Sequence, residues 1–148
     1  MFLILKFGGT SVGSAKRIKE LVNLTVNSSP KIVVLSAMSG TTNALVDICQ
    51  KLNEQDATKA TDLINQLKEN YTHVISELFN TTEGFNKATQ LLNTHFNFML
   101  SFTLDVFTKN EEKVILAQGE LLSTALFHFY LEESGISSEI IPALNFMK

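Results

Sequence analysis

The segment Phe2-Leu3-Ile4-Leu5-Lys6-Phe7-Gly8-Gly9-Thr10-Ser11 joins a short, nearly continuous apolar run to a paired-glycine turn. Such a run, bounded by glycine, reads as a buried strand stopped by a turn. From about Ser14, Ile18, Leu21, Val22 and Val26 recur at helical spacing, while Lys16, Arg17, Lys19 and Glu20 fall on the other face. Asn27-Ser28-Ser29-Pro30 is a loop signal, and Ile32-Val33-Val34-Leu35 is a second buried strand rich in β-branched residues. A further turn, Ser39-Gly40-Thr41, leads into a helix carrying Ala44, Leu45, Ile48 and Leu52. Strand, helix, strand, helix in this order is the signature of a βαβ unit. The expected class is α/β with a mainly parallel sheet.

The middle of the chain changes character. Ala60, Leu63, Ile64, Leu67, Tyr71, Val74, Ile75 and Leu78 form a helical stripe between Ala57 and Phe79. Thr81-Thr82-Glu83-Gly84 interrupts it. Phe85, Ala88, Leu92, Phe96, Met99, Leu100, Leu104 and Phe107 then repeat the spacing. Two amphipathic helices with a short break between them predict an antiparallel helical hairpin. Glu111 and Glu112 open a third long helix, Lys113 to about Glu133, with the acids at its positive end. Ser134-Gly135 closes it, and Ser137 to Ile141 is expected to form another strand before Pro142. There is no internal repeat, low-complexity tract or flexible interdomain linker.

Composition narrows the function classes. At 148 residues with 45% apolar and 18% charged content, the chain falls in the single-domain globular range rather than with disordered or collagen-like sequences. A net charge of −3 gives no electrostatic reason to expect nucleic acid or an anionic membrane as partner. The one cysteine, Cys49, excludes an internal disulfide framework and fits a reducing compartment. The early apolar run, Met1 to Leu5, is broken by Lys6 and is too short for a signal sequence or a membrane span. These features point to a soluble cytoplasmic domain.

Three segments carry chemistry. In Lys6-Phe7-Gly8-Gly9-Thr10-Ser11, paired glycines at a strand-to-helix junction let backbone N–H groups converge on phosphate oxygens. Lys6 adds a compact positive charge, and Thr10 and Ser11 add hydroxyl donors. The pattern is neither a P-loop nor GxGxxG, and an ordinary glycine turn would account for the same residues. Ser36-Ala37-Met38-Ser39-Gly40-Thr41-Thr42-Asn43 also lies between a strand and a helix. In a parallel sheet both segments sit at the carboxyl ends of their strands, where α/β folds place ligands. Plain helix capping by Ser39, Thr41 or Thr42 is the alternative.

The third segment is Gln118-Gly119-Glu120-Leu121-Leu122-Ser123-Thr124. A helical wheel puts Lys113, Glu120, Ser123, Thr124 and His128 on one side, and Ile115, Leu122, Ala125, Leu126 and Phe129 on the other. Between Val114 and Tyr130, Glu120 is the only carboxylate or fixed charge, and Gly119 before it permits close approach. A carboxylate so placed suits a ligand ammonium; a solvated polar stripe is the alternative. His73 and His95 have no second metal ligand at suitable spacing, and His128 reads as a satisfied helix residue. No Ser/His/Asp set, Cys–His pair or HExxH site is present, so no resident metal is expected. Cys49 has apolar neighbours and no activating base, which predicts a buried, inert thiol.

Together these residues resemble the aspartokinase family. Lys6-Phe7-Gly8-Gly9-Thr10-Ser11-Val12-Gly13, the segment Val33 to Asn43, and Gln118-Gly119-Glu120-Leu121-Leu122-Ser123 stand in that family's order and spacing. The helical middle looks most like the monofunctional enzymes of Bacteroides-type bacteria. The resemblance covers residues 1–148 and implies an amino-acid-kinase fold: an αβα sandwich with a mainly parallel sheet and a helical-hairpin insertion. It also implies transfer of the ATP γ-phosphoryl group to the side-chain carboxylate of L-aspartate, with Mg²⁺ accompanying ATP. By the same resemblance, Lys6 is the catalytic cation, and Lys6, Phe7, Gly8, Gly9, Thr10 and Ser36 serve the ATP phosphates. Thr42 and Glu120 would contact aspartate, Glu120 taking its ammonium.

The family's kinase domain continues past Ala143-Leu144-Asn145-Phe146-Met147-Lys148. The resemblance therefore implies that the adenine-binding region, further acidic and arginine residues and the regulatory ACT domains lie beyond this chain. Residues 1–148 are expected to be an N-terminal portion, inactive alone and prone to self-association through a severed interface. The full-length protein is expected to be a homo-oligomer. A bifunctional aspartokinase–homoserine dehydrogenase would begin in the same way, and a non-catalytic phosphate-binding module is the alternative from another class.

Overall fold

The computed structural model describes residues 3–25 and 29–142. Phe2, Val26, Asn27, Ser28 and the terminal segment from Ala143 to Lys148 lie outside the described residues. In chain order the elements are β1 (Leu3–Phe7), α1 (Ala15–Thr25), β2 (Lys31–Leu35), α2 (Thr41–Asn53), α3 (Ala57–Leu78), α4 (Thr82–Ser101), a single 3₁₀ turn (Phe102–Leu104) and α5 (Lys109–Glu133). β1 and β2 pair in parallel, with Leu3 opposite Lys31 and Phe7 opposite Leu35. The expected βαβ unit is therefore present.

Alternation along the two strands sets the sheet's faces. Leu5, Phe7, Val33 and Leu35 are buried or half-buried, whereas Ile4, Lys6, Ile32 and Val34 are exposed. The expectation of two buried strands is thus corrected: Ile4 is 66% and Val34 41% exposed. The cause is that α5 packs against β2 from one side, while the opposite face carries apolar residues with no layer over it among the described residues.

Most of the core is helical. α3 packs against α1, α2 and α4, and α5 packs against α2 and α4. The stripe read from sequence points inward, with Ile64, Tyr71, Ile75 and Leu78 of α3 facing Leu92, Phe96 and Met99 of α4 in one cluster with Ile48, Ile115, Leu122 and Leu126. Caps define the ends of the hairpin. Asp56 accepts from the amide of Lys59 before α3, and Thr81 accepts from the amide of Gly84 before α4. Thr108 and Glu111 form a reciprocal capping box ahead of α5.

Two element boundaries differ from expectation. The second helix of the hairpin ends at Ser101 rather than running on to Phe107, and Leu104 is exposed. Edge-on ring contacts, Phe98 with Phe102 and Phe102 with Phe107 at 5.1 and 6.1 Å, continue the aromatic spacing through a turn and so imitate a helix. The strand expected at Ser137 to Ile141 is absent; residues 136–142 are irregular. That segment folds back instead, the Ile136 amide donating to the Leu131 carbonyl and Ser138 pairing with His128 Nδ1 at 2.7 Å.

Candidate active site

The ladder between β1 and β2 continues into the segments that follow them. Ser36 donates its amide to the Phe7 carbonyl, and Ser39 donates to the Gly9 carbonyl, each at 3.1 Å. The backbones approach closely enough that a Cβ on Gly9 would stand 2.9 Å from the Ala37 carbonyl oxygen. Glycine at this position is a steric requirement. The two segments are consequently neighbours at the carboxyl ends of the strands, as the parallel topology required.

α2 begins on Gly40, which adopts φ +83° and supplies no side-chain cap. Capping by Ser39, Thr41 or Thr42, the alternative drawn from sequence, is therefore not what this segment does. The Thr41 amide is met by the Met38 carbonyl and the Ala44 amide by the Gly40 carbonyl. The amides of Thr42 and Asn43 belong to the first turn, where helix N–H groups point outward and the dipole favours an anion. The Thr41 hydroxyl is turned inward: it pairs with the Tyr71 hydroxyl at 2.9 Å, and both residues are buried.

α5 supplies the opposite wall. A Cβ on Gly119 would lie 2.7 Å from Ala37 Cβ and 3.0 Å from Thr41 Cγ2. The missing side chain lets α5 rest directly on the Ser36–Asn43 segment, and the next residue, Glu120, emerges beside it. The helical wheel misplaced one member of the polar side. Ser123 is buried, its hydroxyl donating to the Gly119 carbonyl at 3.0 Å. Gln118 is buried as well and is satisfied twice, by the Val114 carbonyl and by His95 Nδ1 at 2.6 Å.

These contacts produce an open cleft of about 260 Å³ lined by Gly9, Ser36, Ala37, Met38, Ser39, Gly40, Thr42, Asn43 and Glu120. Four residues singled out from sequence, Gly9, Ser36, Thr42 and Glu120, thus line one cleft. The others do not line it. Lys6 is exposed on the open face of the sheet, and the Phe7 ring turns into the core. Gly8 and Thr10 form the turn beneath, their carbonyls accepting from Ser11 and Gly13.

A larger cavity of about 510 Å³ lies on the other side of Met38, Ser39 and Gly40, between them and α3. Tyr71 on its wall was legible from sequence only as a core residue. The available signal was a single phenol in an aliphatic stripe, since a buried hydroxyl requires a partner. Burial pushes the Tyr71 phenol up to about 12, with the Thr41 hydrogen bond working the other way. Burial also pushes the Cys49 thiol up to about 11, helped by the charge of Glu112. An unreactive thiol is the consequence expected from sequence.

Among the described residues no group of three or more His, Cys, Asp or Glu side chains stands together as a metal cage. The cleft instead offers hydroxyls, helix amides and one carboxylate, a set suited to an anion at one end and an ammonium at the other. Magnesium escorting a nucleotide takes many of its ligands from phosphates and water, so this set is compatible with it.

A parallel βαβ unit with glycine- and hydroxyl-rich segments at its carboxyl edge defines an α/β protein, and the family is shown directly. Residues 1–148 match the model of the amino acid kinase family, to which this chain belongs. The chain is 30% identical over 140 residues to Aspartokinase 2, chloroplastic, of Arabidopsis thaliana, covering 89% of this chain and 25% of that one. It is 32% identical over 134 residues to the aspartokinase of Rickettsia conorii, covering 88% and 31%. Among solved structures, Escherichia coli aspartokinase III matches in two states at 24% identity. The TM-score is 0.68 for the T-state complex with lysine and aspartate, over 92% of this chain and 30% of that one. It is 0.67 for the R-state complex with aspartate and ADP, over 94% and 30%. The chain thus spans between a quarter and a third of the length of these relatives. Among the described residues one helix, α5, is long and apolar enough to cross a membrane by length and composition, and half of its most apolar stretch is buried within the fold.

Proposed function

We propose that this chain is the N-terminal portion of the catalytic domain of an aspartokinase, a soluble cytoplasmic enzyme. The reaction is transfer of the ATP γ-phosphoryl group to the side-chain carboxylate of L-aspartate. Its product is 4-phospho-L-aspartate, the entry to lysine, threonine and methionine synthesis. The observation that carries this reading is the meeting of Gly9, Ser36, Thr42 and Glu120 in one cleft at the carboxyl ends of β1 and β2. The aspartokinase relatives, and the aspartate and ADP bound by aspartokinase III, support the substrate assignment.

Phosphoryl transfer needs positioning and charge stabilisation rather than a protein nucleophile. In this reading the paired-glycine turn and Ser36 hold the phosphates, and Lys6 stabilises the transferring group. Thr42 orients the substrate and Glu120 takes its ammonium. Mg²⁺ bridges the ATP phosphates. The open apolar face of the sheet, with Ile4, Ile32 and Val34, is where a further layer of the same domain would pack. Residues 1–148 alone are therefore expected to show no aspartate-dependent ADP formation, and the full-length enzyme is expected to be a homo-oligomer.

In the full-length protein, Glu120→Ala should weaken aspartate binding about ten- to a hundredfold, the loss expected for a charge-assisted contact. ATP binding should change little. Equal loss of both would show that Glu120 is structural. Lys6→Ala should lower kcat while leaving aspartate binding in place, and an unchanged kcat would remove Lys6 from the chemistry.

A further inference from the structure

We infer that Tyr71 is a positioning residue for the substrate end of the cleft, acting through Thr41; the inference rests on the assignment of Thr42 and Glu120 as aspartate contacts. Tyr71 belongs to α3, on the helical hairpin, and does not line the cleft. Its ring is fixed in the core, fully buried and tilted against Phe96 at 6.0 Å between centroids. Its hydroxyl reaches out of the hairpin to Thr41 Oγ1 at 2.9 Å. Both partners are buried, so removing either hydroxyl leaves the other short of its hydrogen-bond partner in the interior.

Thr41 is where the two substrate-bearing elements touch. It is the first residue of α2, immediately before Thr42. Its methyl group lies where a side chain on Gly119 would go, so it packs against α5 one residue before Glu120. One threonine thus has its hydroxyl tied to the hairpin and its methyl pressed on α5. A shift or rotation of Thr41 moves Thr42 and alters the seat of Glu120 together. The Gly9 and Ser36 side of the cleft is tied separately, through the extended strand ladder. Loss of the Tyr71 hydroxyl should therefore be felt by aspartate and not by the nucleotide. Substrate geometry is sensitive to small displacements of this kind even when the displaced residue touches no ligand.

The test uses steady-state kinetics of the full-length enzyme with Tyr71→Phe, which keeps the ring and its packing and removes only the hydroxyl. KM for aspartate should rise about three- to tenfold, the range expected for one hydrogen bond, with KM for ATP unchanged. Thr41→Val, which keeps the shape and removes the partner hydroxyl, should give the same change. The double variant should be no worse than either single one, and Thr41→Ser should retain more affinity for aspartate than Thr41→Val. A parallel rise in both KM values, or additive effects in the double variant, would show that Tyr71 is only a core residue. If Tyr71→Phe does not fold, Thr41→Val against Thr41→Ser decides the matter. Glu120→Ala separates the two levels. No effect of Glu120→Ala on aspartate would sink the site assignment itself. A Glu120 effect without a Tyr71 effect would sink only the present inference.

Discussion

Glu133, the last residue of α5, closes onto Thr81, 52 residues earlier, accepting from its amide at 2.8 Å and its hydroxyl at 2.6 Å. The same carboxylate takes the Asn80 amide at 3.1 Å. One side chain therefore ties the end of α5 to the joint of the helical hairpin. Burial alone would raise its carboxyl, but the hydrogen bonds from Thr81 and Asn80 outweigh that and hold it below the ordinary glutamate range.

A depressed folded value fixes the sign of the pH dependence. The stabilisation from Glu133 is present above the ordinary glutamate value, about 4.3, and is lost as pH falls through the depressed one. Glu133→Ala should cost about 1 kcal/mol at neutral pH, after discounting for solvent screening. The variant and the parent should converge in stability as the solution is acidified. Urea unfolding of both chains between neutral and acid pH measures this; a gap that persists in acid would mean that the contact works through packing.

Gly119→Ala tests the close seat of α5. Alanine favours a helix by up to about 1 kcal/mol over glycine, so a neutral or stabilising result is expected wherever space exists. Here the new methyl would meet Ala37 Cβ at 2.7 Å, and overpacking of this kind costs about 1–3 kcal/mol. Net destabilisation should follow. Adding Ala37→Gly should recover part of it, giving a favourable coupling in a double-mutant cycle. An additive cycle would place the strain elsewhere.

Cys49 should be silent toward thiol reagents while the chain is folded. With its thiol pushed up to about 11 and the residue only 2% exposed, thiolate is scarce and shielded near neutral pH. A chromogenic disulfide reagent should label it in strong denaturant and not in buffer. Rapid labelling of the native protein would show that α2 opens.

Much of this was written in local pattern. The stripe from Ala60 to Leu78 fixed the inward face of α3, and the apolar runs ending at Phe7 and Leu35 marked both strands. The cleft was half legible, because βα topology brings the segments after β1 and β2 to one edge. That Glu120 faces them was not, since it depends on how α5 lands on α2, a tertiary contact set by Gly119, Ala37 and Thr41. Tyr71 stayed hidden for the same reason: its hydroxyl partner is 30 residues away. Ser137 to Ile141 erred in the other direction. β-branched residues there suit a strand, but a strand exists only with a neighbour to pair with, and His128 holds this segment elsewhere.

The hydrogen bonds from Ser36 to Phe7 and from Ser39 to Gly9 have a mechanical meaning. They make residues 7–9 and 36–39 a single stiff lip rather than a pair of independent arms. In the proposed function, an incoming anion would meet donors already gathered, their disorder surrendered when the chain folded and not when the ligand arrives. Such a lip should show slow amide exchange at Ser36 and Ser39 with no ligand added, as slow as within the strands themselves. Recognition at this edge of the sheet begins with folding.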